Sequence, residues 1–280
     1  MTVPKTDGIY AHIPETVYHG DKGSLSSSGA RALLNTTPAE FDHQRREPPN
    51  PKPQYDFGHA AHKMVLGEGQ QLVRVDADDW RTNAAKEKRE HAWAEGKSPL
   101  LKKDIDIAQR MAGKVFAHRL AARLLADGSA ELSGYWRDRA TGVRLRCRPD
   151  FVPEVGNGRP ILVDYKTSTS ASPRHFVKQA AEYGYHNQAA WYIDGFAAAA
   201  GVEGAAFLFI VQQKTAPYLV SICQLHPDHV DLGRRQNRRA VDLYAQCVES
   251  KTWPAYGDAI HNCELPGWYI SQAENALQLV

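Results

Sequence analysis

Residues 144–167 read Arg144-Leu-Arg-Cys-Arg-Pro-Asp150-Phe-Val-Pro-Glu-Val-Gly-Asn-Gly-Arg-Pro160-Ile-Leu-Val-Asp164-Tyr-Lys166-Thr167. Two alternating apolar–polar runs flank a Gly-Asn-Gly-Arg-Pro turn, which is the pattern of strand, tight turn and strand. Upstream, Ala130–Arg137 alternates in the same way and leads through the turn Asp138–Gly142 into Val143–Val152. Strands over 130–137, 143–152 and 161–167, joined by two turns, predict an antiparallel meander. Side chains alternate faces along a strand, so Asp164 and Lys166 share one face with Tyr165 opposite, and the hairpin brings Asp150 alongside. Neighbouring carboxylates repel unless a cation lies between them, and such oxygen ligands suit Mg²⁺ beside a phosphate.

Around the meander the period changes to that of helices. Leu25-Ser26-Ser27-Ser28 precedes an apolar-periodic run, a helix start with a serine N-cap; the same amides attract anions. Glu47–Pro53, with four prolines, is a loop or hinge. Helices are expected at 56–66, at 84–97 and, as one long amphipathic segment, at 102–126. Pro173 opens another to about Ala200, strands follow at 205–212 and 218–225, and a basic helix runs from about Asp228 to Ser250. The order predicts an α/β fold: a mixed central sheet with an antiparallel meander, flanked by helices, in one domain. Its expected bounds are 24–256, between an irregular lead-in (1–23) and a C-terminal tail (257–280).

Composition excludes other classes. The 280 residues are 42% hydrophobic and 24% charged, as in ordinary globular chains. No run approaches the roughly 18 apolar residues of a membrane span. The start lacks a signal-peptide core, so a cytoplasmic protein is expected. Cys147, Cys223, Cys247 and Cys263 are too scattered for a cluster motif and read as free thiols. A net charge of +2 demands no polyanion by itself. However, Arg144, Arg146 and Arg148 alternate onto the face of Asp150, and such a row meets water, an acidic partner or phosphate. Arg234, Arg235, Arg238 and Arg239 form a second cationic stripe, equally consistent with DNA, solvent or an oligomer contact.

Pro149-Asp150, a hairpin and Asp164-Tyr165-Lys166 together resemble the PD-(D/E)XK nuclease signature. In the same order fall Tyr18-His19, Leu25–Ser28, Phe57-Gly58-His59-Ala-Ala-His62, Glu131, Arg146–Asp150, Asp164–Thr167, Tyr185-His-Asn-Gln188 with Tyr192, and Trp253-Pro-Ala255. From about 18 to 256 the chain is similar to the RecE-type (exonuclease VIII) phage recombination exonucleases, a member of the PD-(D/E)XK superfamily with a restriction-endonuclease-like core. It is more distantly similar to lambda-type exonuclease. The hairpin between Asp150 and Asp164 is a few residues longer than that family's.

The resemblance implies roles residue by residue. Asp150, Asp164, Glu131 and His62 become metal ligands, Lys166 the catalytic lysine, and Gln188 the glutamine facing the site, with Tyr192 one turn on. The cofactor implied is Mg²⁺, with Mn²⁺ as a substitute. Arg144, Arg146, Arg148, Ser26, Ser28 and Tyr192 are the expected DNA contacts. The implied activity is double-strand DNA exonuclease, 5′ to 3′, leaving 3′ overhangs for a single-strand annealing protein of the RecT type. A homo-oligomeric ring, no membrane, and phage or prophage origin in a bacterial cytoplasm come with it. Another nuclease of the superfamily, endonuclease or single-strand specific, remains an alternative on these residues, as does a non-catalytic DNA-binding recombination protein. A glycosidase built on paired carboxylates fits Lys166 less well. His59 with His62 suggests zinc only if a third ligand joins them.

Overall fold

The structure, a computed structural model, describes residues 2–47, 53–156 and 158–278. The lead-in is more ordered than expected: it holds β1 (Gly8–Tyr10) and α1 (Glu15–Gly20). Ile9 of β1 pairs with Gly134, so backbone bonding to a distant strand, invisible to local pattern, gives this segment its structure. Next, β2 (Leu25–Ser26) runs into α2 (Ser27–Asn35), capped by Ser26, whose hydroxyl accepts from Gly29 N at 3.1 Å. A capping box on Thr37 and Glu40 starts α3 (Pro38–Arg46). The proline loop then lies largely outside the described residues, at 48–52, and α4 (Pro53–Leu66) follows.

Across α5 (Asn83–Ala94), β3 (Leu72–Val75) and β4 (Ser98–Leu101) pair in parallel. The single helix expected over 102–126 is two, α6 (Lys102–Ala117) and α7 (Arg119–Leu124). His118 breaks it: its N–H closes α6 on Lys114 O and Val115 O, and its Nδ1 accepts from Ala121 N at 3.2 Å to cap α7. The break leaves Phe116 and Leu120 exposed, though periodicity counts both in the apolar stripe.

The expected meander is divided between two sheets. Its strands are β5 (Gly128–Ala130), β6 (Ser133–Arg137), β7 (Arg144–Cys147), β8 (Phe151–Pro153) and β9 (Ile161–Ser168). Gly134 faces Cys147 and Ala130 faces Phe151, so one antiparallel register runs through both halves. Between them the ladder opens at Glu131-Leu132 and Arg148-Pro149-Asp150. Glu131 has φ +54°, and proline brings no N–H to a ladder. The outer half joins a four-stranded sheet ordered β1-β6-β7-β2.

After β9 the expected long helix divides at Gly184 (φ +65°) into α8 (Pro173–Tyr183) and α9 (Tyr185–Ala200). Then come β10 (Ala206–Gln213), β11 (Val220–Cys223), α10 (Pro227–Ser250) and, within the expected tail, α11 (Gly267–Leu277). The inner half of the hairpin joins a mixed five-stranded sheet ordered β11-β10-β9-β8-β5, in which β9 and β10 alone run parallel. Both faces of that sheet are covered, as the near-continuous apolar run of β10 requires. Val163 and Tyr165 pack toward α4 and α6, and Leu162 packs toward α8 and α9. A third apolar cluster joins α2, α9 and α10 to β6 and β7. Among the described residues no helix is long and apolar enough to cross a membrane.

Candidate active site

The gap in the hairpin is where the acidic residues gather. Asp150 Oδ2 accepts from Tyr165 N at 2.7 Å and from His62 Nε2 at 2.9 Å, which ties β9 and α4 to the hairpin. Glu131 hangs from the strained partner position: its N–H donates to Asp150 O at 3.0 Å, and its carboxylate lies 3.7 Å from Arg148 Nη1. Ligand atoms of His62, Glu131 and Asp150 all lie within 4.8 Å of one another. On β9, Asp164 is 1% exposed; its Oδ1 accepts from Gln188 Nε2 at 2.6 Å and its Oδ2 lies 2.7 Å from Lys166 Nζ. Lys166 Nζ also stands 5.0 Å over the Tyr185 ring.

Electrostatics bind these groups into one unit. Burial, then the charge of Asp150, pushes Glu131 up to about 7 and Asp164 up to about 6. Burial works to lower His62, but the charge and hydrogen bond of Asp150 override it and raise the imidazole to about 9. Asp150 is held below the ordinary carboxylate range: burial opposes this, and the charge and hydrogen bond of His62 prevail. Burial likewise works against the Lys166 charge, and the Asp164 and Asp150 charges raise it above the usual lysine value. Protons and His62 thus supply the positive charge that these acids need. Three converging oxygen and imidazole ligands, with protons to displace, fit a divalent cation.

The remaining sequence candidates divide. Arg144 donates to the carbonyls of Lys5, Pro4 and Thr6 at 2.5, 2.6 and 2.9 Å. Arg146 donates to Ser24 O and Oγ at 2.5 and 2.7 Å. Arg148 donates to Ser133 Oγ and Ile13 O, both at 2.9 Å, and its guanidinium stacks 4.0 Å over Tyr18. Instead of presenting a row to DNA, the three guanidiniums anchor the N-terminal segment, and Arg146 and Arg148 are buried. Most of their partners are carbonyls more than 100 residues away, which no local pattern reveals. In the second stripe Arg234 pairs with Asp194 and Asp231, Arg238 with Asp138 and Asp242, while Arg235 and Arg239 are exposed.

A cavity of about 500 Å³ opens over His62, Glu131 and Asp150, with Tyr192 and Arg148 in its wall. Residues that sequence reasoning did not assign to the site also line it: Glu15, Glu68, Gln70 and His59. Glu15 was hidden in a segment read as irregular. A second cavity of about 330 Å³ lies at the start of α2, lined by Ser26, Ser28, Arg45 and Arg146. His19 borders both.

Fold and site together define a PD-(D/E)XK nuclease-like domain. Residues 26–266 match the family described as PDDEXK-like domain of unknown function (DUF3799), and the chain belongs to that family. A candidate exonuclease from Eubacterium rectale shares the fold, with TM-score 0.59 at 10% identity over 94% of this chain and 99% of that one. A phage related exonuclease from Haemophilus somnus 129PT superposes with TM-score 0.34 at 11% identity, over 82% of this chain and 96% of that one, too slight a likeness to compare sites. No curated protein matches the sequence.

Proposed function

We propose that this protein is a Mg²⁺-dependent double-strand DNA exonuclease of the RecE type. The observation that carries the proposal is the His62–Glu131–Asp150 cluster set beside the Asp164–Lys166 pair on β9. A divalent cation held by Asp150, Glu131 and His62, with Asp164 adjoining, supplies Lewis acidity toward the scissile phosphate and lowers the pKa of a bound water. Mn²⁺ serves in its place. Lys166, fixed by Asp164 and Tyr185, offsets charge that develops on the phosphate oxygens. Gln188 holds Asp164 in the orientation this requires. Tyr192 and Arg148 bound the path of the strand, and the capped start of α2, with Ser26 and Ser28, seats a terminal 5′-phosphate.

In this reading, hydrolysis proceeds from the 5′ end and leaves 5′-phosphate products and a 3′ overhang. The overhang feeds a RecT-type annealing protein in a bacterial host cell, the enzyme being phage or prophage encoded. A ring of copies around the duplex prevents escape between cuts. The test is a linear duplex labelled at either the 5′ or 3′ end, digested with Mg²⁺ or EDTA, beside a covalently closed circle. Release of the 5′ label, an intact circle, and loss of activity in EDTA and in Asp164→Ala are expected. Cutting of the closed circle would instead mark an endonuclease.

A further inference from the structure

Three hydrogen bonds lead along the cavity wall to His59 on α4. Gln70 Nε2 donates to Glu15 Oε1 at 3.1 Å, Ser98 Oγ donates to Gln70 Oε1 at 2.7 Å, and His59 Nδ1 lies 3.0 Å from Ser98 Oγ. Each direction forces the next. The Glu15 carboxylate offers acceptors only, so Gln70 turns its amide nitrogen toward Glu15 and its carbonyl toward Ser98. The one hydroxyl hydrogen of Ser98, which is 0% exposed, is then committed to Gln70. Only lone pairs of Ser98 face His59, so a neutral His59 carries its proton on Nδ1 and leaves Nε2 bare. The Nδ1 edge points at a wholly buried serine, and His59 itself lines the cavity.

Burial, aided by the charge of His62 and opposed by the charge of Glu15 and a side-chain hydrogen bond with Gln70, holds the His59 pKa below the ordinary histidine value. His59 and His62 lie three residues apart on one helix, with Cβ atoms roughly 5–6 Å apart on one face. Both imidazoles line the cavity that holds the ligand cluster. Phosphate oxygens repel a lone pair, and the neighbouring walls carry the carboxylates of Glu15, Glu131 and Asp150. Water is the hydrogen donor that suits such a place.

We propose that His59 is a further catalytic residue whose Nε2 orients the attacking water and takes one of its protons, with Glu15, Gln70 and Ser98 as positioning residues that set its tautomer. The inference rests on the nuclease reading above. In this step the water oxygen forms the new P–O bond, and the P–O3′ bond breaks with its electron pair on the leaving oxygen. One water proton passes to Nε2 and later returns to solvent, from which the leaving oxygen is protonated.

Long-range proton–nitrogen NMR on the full wild-type chain reads the tautomer directly, with the His59→Gln spectrum identifying the resonance. A proton on Nδ1 and a bare Nε2 are expected, with the two tautomers mixing in Ser98→Ala. In parallel, Mg²⁺-dependent cleavage of linear duplex by His59→Gln should show kcat reduced by about 10²-fold, with KM and the thermal midpoint little changed. Ser98→Ala should fall between that variant and wild type. A proton on Nε2 in the wild type, or wild-type kcat in His59→Gln, overturns the inference and leaves the nuclease reading standing. A wild-type protein that cleaves no phosphodiester bond overturns that reading, and the inference with it.

Discussion

Glu131 occupies a left-handed backbone position, φ +54°, which side chains other than Gly, Asn and Asp seldom adopt. Asparagine tolerates that conformation and removes the charge. Glu131→Asn should therefore keep the thermal midpoint of the metal-free protein while weakening divalent-cation binding by isothermal calorimetry. A second prediction concerns protons. His62, raised to about 9, contributes stability that is complete below its unfolded pKa of about 6.5 and is lost as pH rises through about 9. Glu131 at about 7 and Asp164 at about 6 also bind more protons folded than unfolded, so stability falls as pH climbs through their range. Asp150 has the opposite sign, but its effect is confined to acid below its ordinary pKa. In EDTA the melting temperature should decline from about pH 5 to about pH 9. A divalent cation should restore more of it at the alkaline end, where fewer protons compete. A flat profile for the metal-free protein would contradict this electrostatic account. Asp150, Asp164 and Lys166 could be nominated from sequence because strand alternation is a two-residue rule. The placement of Glu15 and the internal use of Arg144, Arg146 and Arg148 depend on contacts between remote segments, which no such rule reaches.

At the scale of elements, the hairpin and the α9–α10 crossing set the site. Turn residues at 138–142 and 156–160 made the hairpin legible. The opening in its middle left only one weak mark in the sequence, Pro149; the left-handed conformation of Glu131 shows only in the structure. Likewise Gly184 and His118 break helices that apolar spacing carries straight through, because capping overrides periodicity at single residues. α10 approaches α9 so closely at Gly233 that a Cβ there would lie 2.3 Å from His186 O and 2.9 Å from Asn187 N. These are backbone atoms, unable to step aside, and Gln188 is the next residue along α9. Gly233→Ala should thus cost about 1–3 kcal/mol. Its midpoint by calorimetry should drop by several degrees, and its kcat should fall through the displaced Gln188–Asp164 contact. An unchanged melting temperature would mean that the two helices can separate freely.

For the whole molecule, the two ends of the chain make opposite demands. The N-terminal 23 residues read as an irregular lead-in, yet they contribute β1 to a sheet, bury Ile13 and Tyr18, and supply the carbonyls that hold Arg144 and Arg148. Removing residues 1–23 would strip Ile13 O from the buried Arg148 and the Pro4, Lys5 and Thr6 carbonyls from the half-buried Arg144, and hydrogen bonds to charged groups contribute about 1.5–3 kcal/mol each. Together with the lost burial of Ile13 and Tyr18, these losses are comparable to the roughly 5–15 kcal/mol that holds a typical domain together. At the other end, α11 buries none of its residues, and Trp268 and Leu277 are exposed. Deleting residues 257–280 should leave stability within about 0.5 kcal/mol of the full chain, as for surface changes remote from a core. Circular dichroism and urea denaturation of both truncations decide the matter. The N-terminal deletion should lack a cooperative transition, and the C-terminal one should retain the full-length midpoint and slope. If the shortened N-terminus still melted cooperatively at the full-length midpoint, the arginine anchors would be dispensable, and the core of the fold would begin where the family match does, near Ser26.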